Sequence, residues 1–448
     1  MLSEKMNSVL TDVTPGSPMH QAMSRYWLPA FLSRDMPEPD SEPMRVTLLG
    51  KTFVAFRDSA GRVGLLDEHC CHRAASLCLG RVEEGGIRCL YHGWKFDVDG
   101  VALDTPNVSD ERVRSKIRQP SYPVKEAGGI VWAYIGPGDK EPPLPDEGFF
   151  HVPVENVFVE IVVFPTNFTR AMEGVLDNTH VAILHKDSAP PDTSAQLAPR
   201  LELQETEYGF RYAILREHRA ENGEVYDAAR ITSFTFPSHV YQTSDRRMLI
   251  PDEAKEVFMT RSERKTVFRS VAISVPITND VTHHYVVWWD PDHALGVGEE
   301  EQRFRKYFGL EIEELRRTGM SREGFANRPR IEDSYGQNRA AMKRGETFTG
   351  FYPFFQEDWA VVASMGPIAG RPQEQLMHSD IAVSAYRRLL IENALAVQKG
   401  HEPVGIDLKR RPYSIACTVE RHEDWREFFD DGPSTRAPVV KVPETAES

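Results

Sequence analysis

Two short pairs of metal-binding side chains constrain this sequence more than any other feature: Cys70-x-His72 and, after sixteen intervening residues, Cys89-x-x-His92. The first pair sits in a crowded stretch, Asp67-Glu-His-Cys-Cys-His-Arg-Ala-Ala-Ser-Leu77, in which two cysteines and two histidines are consecutive. Cys70 has a histidine two positions on, whereas Cys71 has Arg73 there. Two such pairs on separate loops can clasp one metal group between them. Any fold the chain adopts must bring residues 70–72 and 89–92 together.

A Cys₂His₂ set admits two kinds of metal group. Zinc takes all four side chains tetrahedrally around one ion. A Rieske [2Fe–2S] cluster puts both cysteines on one iron and both histidines on the other. Zinc fingers favour Cys–Cys and His–His pairs; here each pair is mixed, which favours the cluster. Five cysteines in 448 residues make no disulfide framework, and four of them (Cys70, Cys71, Cys78, Cys89) fall within twenty residues, as suits a metal site in a reducing compartment. The net charge of -14 argues against a nucleic-acid partner, which needs a basic footprint. No apolar run reaches the roughly 18 residues of a membrane span. The start, "MLSEKMNSVLTDVTPGSP", lacks the apolar core of a signal peptide. A cytoplasmic protein with no membrane partner is expected.

Residues 40 to 135 read as short β runs between turn signals, such as "RVTLLGKTFVAFRD", Ser59-Ala60-Gly61 and "RVGLLDE". The Pro-rich "PGDKEPPLPDEG" then reads as a linker. Beyond it come a β-branched run, "NVFVEIVVFP", a helix-like stretch over 168–185, further strands over 200–292, and long helical patterns, "EEEQRFRKYFGLEIEELRRT" and "SDIAVSAYRRLLIENALAVQKG". The expected fold class is α+β: an N-terminal helical segment (1–40), a small all-β domain (41–150) and an α+β domain (151–448).

The helix-like stretch carries Glu173, Asp177, His180 and His185. At 100° per residue the first three fall within about 60° of one face, whereas His185 lies about 140° round from His180. Both histidines reach one metal only if the helix is distorted, for example by a π-bulge. Two histidines and a carboxylate form the facial triad of non-haem Fe(II) oxygenases, with positions left open for O₂. Asp177, three residues before His180, is placed to hydrogen-bond it, and such carboxylates orient metal-bound histidines.

The flanks of the first constellation, "CCHRAASLCLGRVEEGGIRCLYHGWKFDVDG", resemble the Rieske loops of ring-hydroxylating oxygenases. The likeness lies in Cys-x-His-Arg, Cys-x-Tyr-His-Gly-Trp and the closing Phe-Asp-x-x-Gly. "RYWLPAFL", "LLGKTFVAFRDSAGRVGLLDEHC", "GGIVWAYIGP" and "EGVLDNTHVAILH" extend it over most of the chain, within the phthalate-dioxygenase-like group. On this resemblance Cys70, His72, Cys89 and His92 hold the cluster, His69 is a bystander, and Cys71 is a small buried residue beside it. The segment "FYPFFQEDWAVVASMGPIAGRPQEQL" resembles the region that supplies the iron carboxylate, seven residues before a Met-Gly. That count gives Asp358, with Glu357 as the neighbouring alternative, so the iron ligands implied are His180, His185 and Asp358.

The resemblance further implies a β-sandwich Rieske domain, a helix-grip catalytic domain with an antiparallel sheet, and a head-to-tail homotrimer. Asp177 would bridge from His180 to the neighbouring subunit's cluster histidine. The implied cofactors are one [2Fe–2S] cluster and one mononuclear Fe(II), with O₂ as cosubstrate. The chain has no Gly-x-Gly-x-x-Gly after a strand, so electrons come from a separate NAD(P)H-dependent reductase of flavin and ferredoxin type. The expected reaction is cis-dihydroxylation of a small aromatic carboxylate, or monooxygenation ending in O-demethylation. An aromatic carboxylate wants an arginine in the pocket, and Arg211, Arg230 and Arg269 are candidates. "PITNDVTHHYVVWW" is a candidate pocket wall, though its alternation equally fits strand core. Two rival readings remain: an electron-transfer protein with a non-catalytic second domain, and a zinc-stabilised interaction protein.

Overall fold

A computed structural model of the chain describes residues 2–188, 198–219, 223, 225–245, 267–409, 411–412, 415–420 and 424–428. The N-terminal segment is helical only in its first part. Helices α1 (Glu4–Thr11) and α2 (Pro18–Met23) are capped by Ser3 and Ser17, whose side chains accept from the backbone of Met6 and His20. Both then pack on α10 (Ile381–Gln398) of the second unit. The chain next enters strand β1 (Trp27–Leu32), all six residues of which are buried. The expected helical segment to residue 40 thus ends early, because "WLPAFL" supplies a strand to the first unit.

The first unit is built from three small antiparallel sheets. β1 pairs with β10 (Ile130–Tyr134), which pairs with β9 (Val124–Ala127). β2 (Met44–Leu48), β3 (Lys51–Arg57) and β4 (Val63–Asp67) form a meander. β5 (Arg81–Glu83), β6 (Gly86–Arg88), β7 (Lys95–Phe96) and β8 (Ala102–Asp104) form the third sheet. A one-turn helix, α3 (Glu111–Arg114), follows.

The second unit is one antiparallel sheet of eight strands. Its order is β11 (Val157–Phe164), β17 (Val281–Trp289), β16 (Val267–Thr278), β15 (His239–Asp245), β14 (Val225–Thr235), β13 (Gly209–Arg219) and β12 (Arg200–Thr206), with β18 (Ile415–Glu420) also paired to β14. Register assigns its two faces. Phe234, Val240, Ala272 and Val286 are successive cross-strand partners and share one face; Ser233, Tyr241, Val271 and Val287 share the other. Helices α4 (Phe168–Leu176) and α10 cover the first face at one end. There Phe168, Met172, Leu176, Tyr386 and Leu390 join the core. At the other end α6 (Gly298–Phe308), α7 (Ile312–Thr318) and, after the short α8 (Arg339–Arg344), α9 (Phe354–Ser364) bring Phe304, Phe308, Leu315, Phe355 and Trp359 onto Phe158, Val286 and Trp288.

The opposite face meets the first unit and the linker. Leu49 and Gly50 donate backbone hydrogen bonds to Pro276 and Ile277 at 3.0 and 2.8 Å. Trp132 lies parallel to His239, with ring centroids 6.3 Å apart. Tyr241 donates to Glu147 at 2.9 Å. Burial pushes the Glu147 carboxyl up to about 7, against the pull of Arg411 and Tyr241. Among the described residues no helix is long and apolar enough to cross a membrane.

Candidate functional site

The two cluster loops hang from adjacent edges of the first unit and are closed by their own backbones. In the first, Cys70 N–H donates to Ala75 O and Ala74 N–H to Cys70 O, at 2.9 and 2.8 Å. In the second, Cys89 N–H donates to Trp94 O and Gly93 N–H to Cys89 O, at 2.8 and 3.0 Å. Gly93 turns the chain at φ +76°, where a β-carbon would be strained. Gln119, fully buried, staples the first loop from outside. Its amide donates to the carbonyls of Asp67 and His69, and its oxygen accepts from Cys71 N–H at 2.7 Å.

This geometry sorts the four side chains into two kinds. Cys70 and Cys89 are buried in a small core with Val54, Phe56, Leu66, Leu77, Ile87, Trp94 and Phe96. His72 and His92 lie together at the half-exposed edge, ring centroids 4.3 Å apart, and His72 stacks on Trp94 at 4.3 Å. His72 Nδ1 is buried without a hydrogen-bond partner. Cysteines inside and histidines at the edge fit a two-iron cluster, with one kind of ligand on each side. Cys71, expected to be buried, is exposed, because the turn that buries Cys70 points the next side chain outward.

The second site forms where a helix stops. α4 is capped by Asn167 and ends at Asp177, whose backbone is extended at φ -77° and ψ 103°. Asp177 Oδ1 accepts from Thr179 N–H and Thr179 Oγ1 at 2.8 and 2.7 Å, an Asx turn that competes with the helix. The chain resumes as the single turn α5 (Val181–Leu184), flanked by His180 and His185. The expected helical distortion is therefore a complete break. It places the two imidazole centroids 5.2 Å apart.

The donors of His180, His185 and Asp358 all lie within 4.8 Å of one another, which among the described residues no other set of three does. Asp358 Oδ1 lies 3.1 Å from His185 Nε2 and 3.5 Å from His180 Nε2. A carboxylate stands behind each histidine. His185 Nδ1 donates to Glu357 Oε2 at 2.7 Å, and His180 Nδ1 lies 3.6 Å from Asp177 Oδ2. Glu357 is itself fixed by Thr349, whose hydroxyl donates to Oε1 at 2.6 Å. A proton held on Nδ1 leaves Nε2 as the lone-pair donor facing Asp358. Both acids sit on α9, but Phe355 and Trp359 anchor that helix in the core and divide them. Asp358 faces the histidines' Nε2 atoms, whereas Glu357 lies behind His185. Phe354 stacks on the His185 ring at 3.9 Å.

The electrostatics follow the same geometry. In the metal-free chain, burial lowers the His185 pKa, but Asp358 and Glu357 outweigh it and raise it to about 9. Burial opposes the charge of Asp358, yet His185, His180 and His284 hold its carboxyl below the usual range. Burial likewise opposes Asp177, and His180 with the two Thr179 donors overcomes it.

His284 is a residue that sequence reasoning passed over within its candidate wall. It is buried on the face shared with Val286 and Trp288, close enough to Asp358 to feel its charge. Its Nδ1 lies 2.9 Å from Ser274 Oγ. Burial brings its pKa down to about 4, so it is neutral. The three candidate arginines divide by register. Arg230 is opposite Ile214 and shares the face of Phe234, Val286 and His284; its Nη2 reaches Gln242 Oε1 at 3.4 Å. Arg211 pairs with Ser233, and Arg269 with Thr243 and Trp289, so both lie on the face turned to the linker and first unit.

Two family models cover the chain. A Rieske [2Fe-2S] domain matches residues 26–123, and a LigXa C-terminal domain like model matches residues 133–435. The phthalate 4,5-dioxygenase oxygenase subunit of Pseudomonas putida is 34% identical over 96% of this chain and 95% of its own length. The 3-chlorobenzoate-3,4-dioxygenase oxygenase subunit of Comamonas testosteroni is 31% identical over 96% and 98%. Among solved structures, Pseudomonas putida CBB5 NdmA with caffeine superposes with a TM-score of 0.60 at 14% identity, over 91% of this chain and 100% of that one.

Proposed function

Because this chain belongs to the Rieske non-haem iron oxygenases, in their phthalate 4,5-dioxygenase-like group of oxygenase subunits, we propose which of its residues carry that activity and on what substrate class. As a terminal oxygenase component it uses O₂ and takes electrons from a separate NAD(P)H-dependent reductase. The domain boundary falls in the Pro-rich linker, with the first unit carrying the cluster and the second the mononuclear iron. Cys70, His72, Cys89 and His92 hold the cluster; His180, His185 and Asp358 hold the iron. When bound, the cluster supplies single electrons, and the iron supplies open coordination positions for O₂.

The chain's own residues do the rest. Glu357 keeps the His185 proton on Nδ1, and Asp177 does the same for His180. Asp177 also reaches the neighbouring subunit's cluster histidine in a head-to-tail homotrimer. That arrangement is supported by apolar side chains left in solvent at both ends. Leu79 and Leu90 beside the cluster are 72% and 60% exposed, and Tyr352, just before α9, is 65% exposed.

The substrate is a small aromatic carboxylate undergoing cis-dihydroxylation. The observation that carries this reading is the shared placement of a triad, a guanidinium and a neutral imidazole on one sheet face. Arg230 would take the carboxylate, and His284, fixed by Ser274, a second polar atom. Oxygen insertion ending in O-demethylation uses the same residues and differs only in the product.

A single-turnover screen tests the reading. The cluster is reduced without oxygen, one aromatic acid or methoxy-arene is added, and O₂ is mixed in while cluster colour is followed. An aromatic acid that accelerates reoxidation and leaves a diol is expected. A methoxy-arene giving a phenol would move the assignment to O-demethylation. One slow rate with every compound in an iron-replete protein would sink the assignment of substrate class.

A further inference from the structure

The last carbonyls of a helix have no partner within it, and α4 ends where the iron site begins. Donors for two of them come from the sheet. Gln242 on β15 donates from Nε2 to Val175 O at 2.9 Å. Tyr212 on β13 donates its hydroxyl to Leu176 O, and the same hydroxyl accepts from Asn178 Nδ2. One phenol oxygen is therefore bonded to the residue before Asp177 and to the residue after it.

Burial follows the same pattern. Leu176 and Asn178 are buried, and Asp177 between them is half-buried on extended backbone. Tyr212 is fully buried, and its ring joins the large core that also holds Leu176 and Phe210. A phenylalanine would fill that space as well, so packing does not account for the hydroxyl. Burial pushes the phenol pKa up, against the donation from Asn178, and the charge of Asp177 pushes it further. The hydroxyl thus keeps the proton it donates. The Asx turn of Asp177 with Thr179 is local: it shapes the loop without fixing where the loop stands over the sheet. Tyr212 supplies that anchor.

We propose that Tyr212 is a positioning residue for the oxygenase reaction: its hydroxyl clamps the chain on both sides of Asp177 and so fixes that carboxylate beside His180 with its outer edge at the surface. The inference rests on the reading that electrons reach the iron by way of Asp177. Removing the hydroxyl leaves α4 in place, because Asn167 caps its start and Gln242 still holds Val175. It strips Leu176 O and Asn178 Nδ2 of a buried partner, and unpaired polar groups of this kind turn toward water. Residues 177–179 then sample several positions, of which one serves.

The test compares Tyr212→Phe and Asp177→Asn with wild type, all loaded with cluster and iron. Amide hydrogen exchange reads the clamp directly, since the Asp177 and Thr179 N–H groups are each bonded at 2.8 Å in the native loop. Tyr212→Phe is expected to speed exchange of these amides about tenfold or more, with β13 and β14 unmoved. With the compound that most accelerates wild type in the screen above, its cluster should reoxidise about tenfold more slowly at saturation. The half-saturating concentration and the iron content should not change. If Asp177→Asn reoxidises at the wild-type rate, the route through Asp177 is wrong and the inference goes with it. If Asp177→Asn is slow and Tyr212→Phe fast, the route stands and Tyr212 does not position it. Unmoved exchange at 177–179 overturns the clamp, and faster exchange throughout the sheet makes the phenol a core support only. Should Tyr212→Phe fail to fold, Asn178→Leu, of nearly the same size, opens the clamp from its other side and is read in the same way.

Discussion

Adjacent acids on one helix make opposite demands on the iron site, and substituting each tests the division of labour. Glu357 accepts two hydrogen bonds, from His185 Nδ1 at 2.7 Å and from Thr349 Oγ1 at 2.6 Å. Glu357→Gln keeps the shape but turns one acceptor oxygen into a donor, so one of the two bonds is lost and the other loses its charge. A hydrogen bond to a charged group contributes about 1.5–3 kcal/mol. Loss of an outer partner of this kind costs a metal site about 10–100-fold in affinity, or about 1.4–2.7 kcal/mol. Glu357→Gln should therefore raise the Fe(II) dissociation constant about 10–100-fold and still allow full loading at high iron. Asp358→Asn removes the anionic donor facing both histidines and should leave the site without stoichiometric iron. The assay is anaerobic Fe(II) titration against a competing chelator, with the cluster's visible spectrum as an internal control of folding. If Glu357→Gln empties the site while Asp358→Asn keeps its iron, the two acids have been assigned in the wrong order.

Three further outcomes follow from the geometry. Asp177→Asn should retain both metals and lose substrate-accelerated cluster reoxidation; normal turnover in that variant would remove the bridging role. Arg230→Leu should raise KM for aromatic carboxylates about 10–100-fold, as expected for loss of a charged hydrogen bond, with little change for neutral arenes; an equal loss for both would make Arg230 structural. The Glu147 carboxyl has a folded pKa of about 7 against an ordinary 4.5, so the folded state holds its proton more tightly. The resulting stability is fully present below pH 4.5 and is lost as pH rises through 7, by about 3 kcal/mol. The urea midpoint should fall more steeply between pH 5 and 7 in wild type than in Glu147→Gln, and parallel slopes would argue against it.

What the sequence disclosed depended on how local each feature is. The proposed cluster residues lie within two tight loops, so spacing alone grouped Cys70, His72, Cys89 and His92 as a set. The proposed iron site was half local: His180 and His185 stood in one stretch, but Asp358 comes from a helix more than 170 residues later. The count back from Met365-Gly366 pointed to Asp358 with Glu357 beside it, and the packing of Phe355 and Trp359 is what turns Asp358 toward both histidines. The helix break at Asp177 was written in Asp177-Asn178-Thr179, whose first side chain can cap its own backbone; hydrophobic periodicity obscured it. The arginines were beyond reach, because a strand residue's side depends on register with neighbours that sequence does not specify. Gln119 carried no signal at all, since its partners are backbone groups of a loop some fifty residues earlier.

The burial of Cys70 and Cys89 among the aliphatic and aromatic side chains of the smallest core bears on how the protein is made. On the proposed assignment those two thiols fill space as well as ligate, so a bound cluster completes a hydrophobic interior. Its loss would leave this small core without its centre, while the larger core, to which both units contribute, would keep its packing.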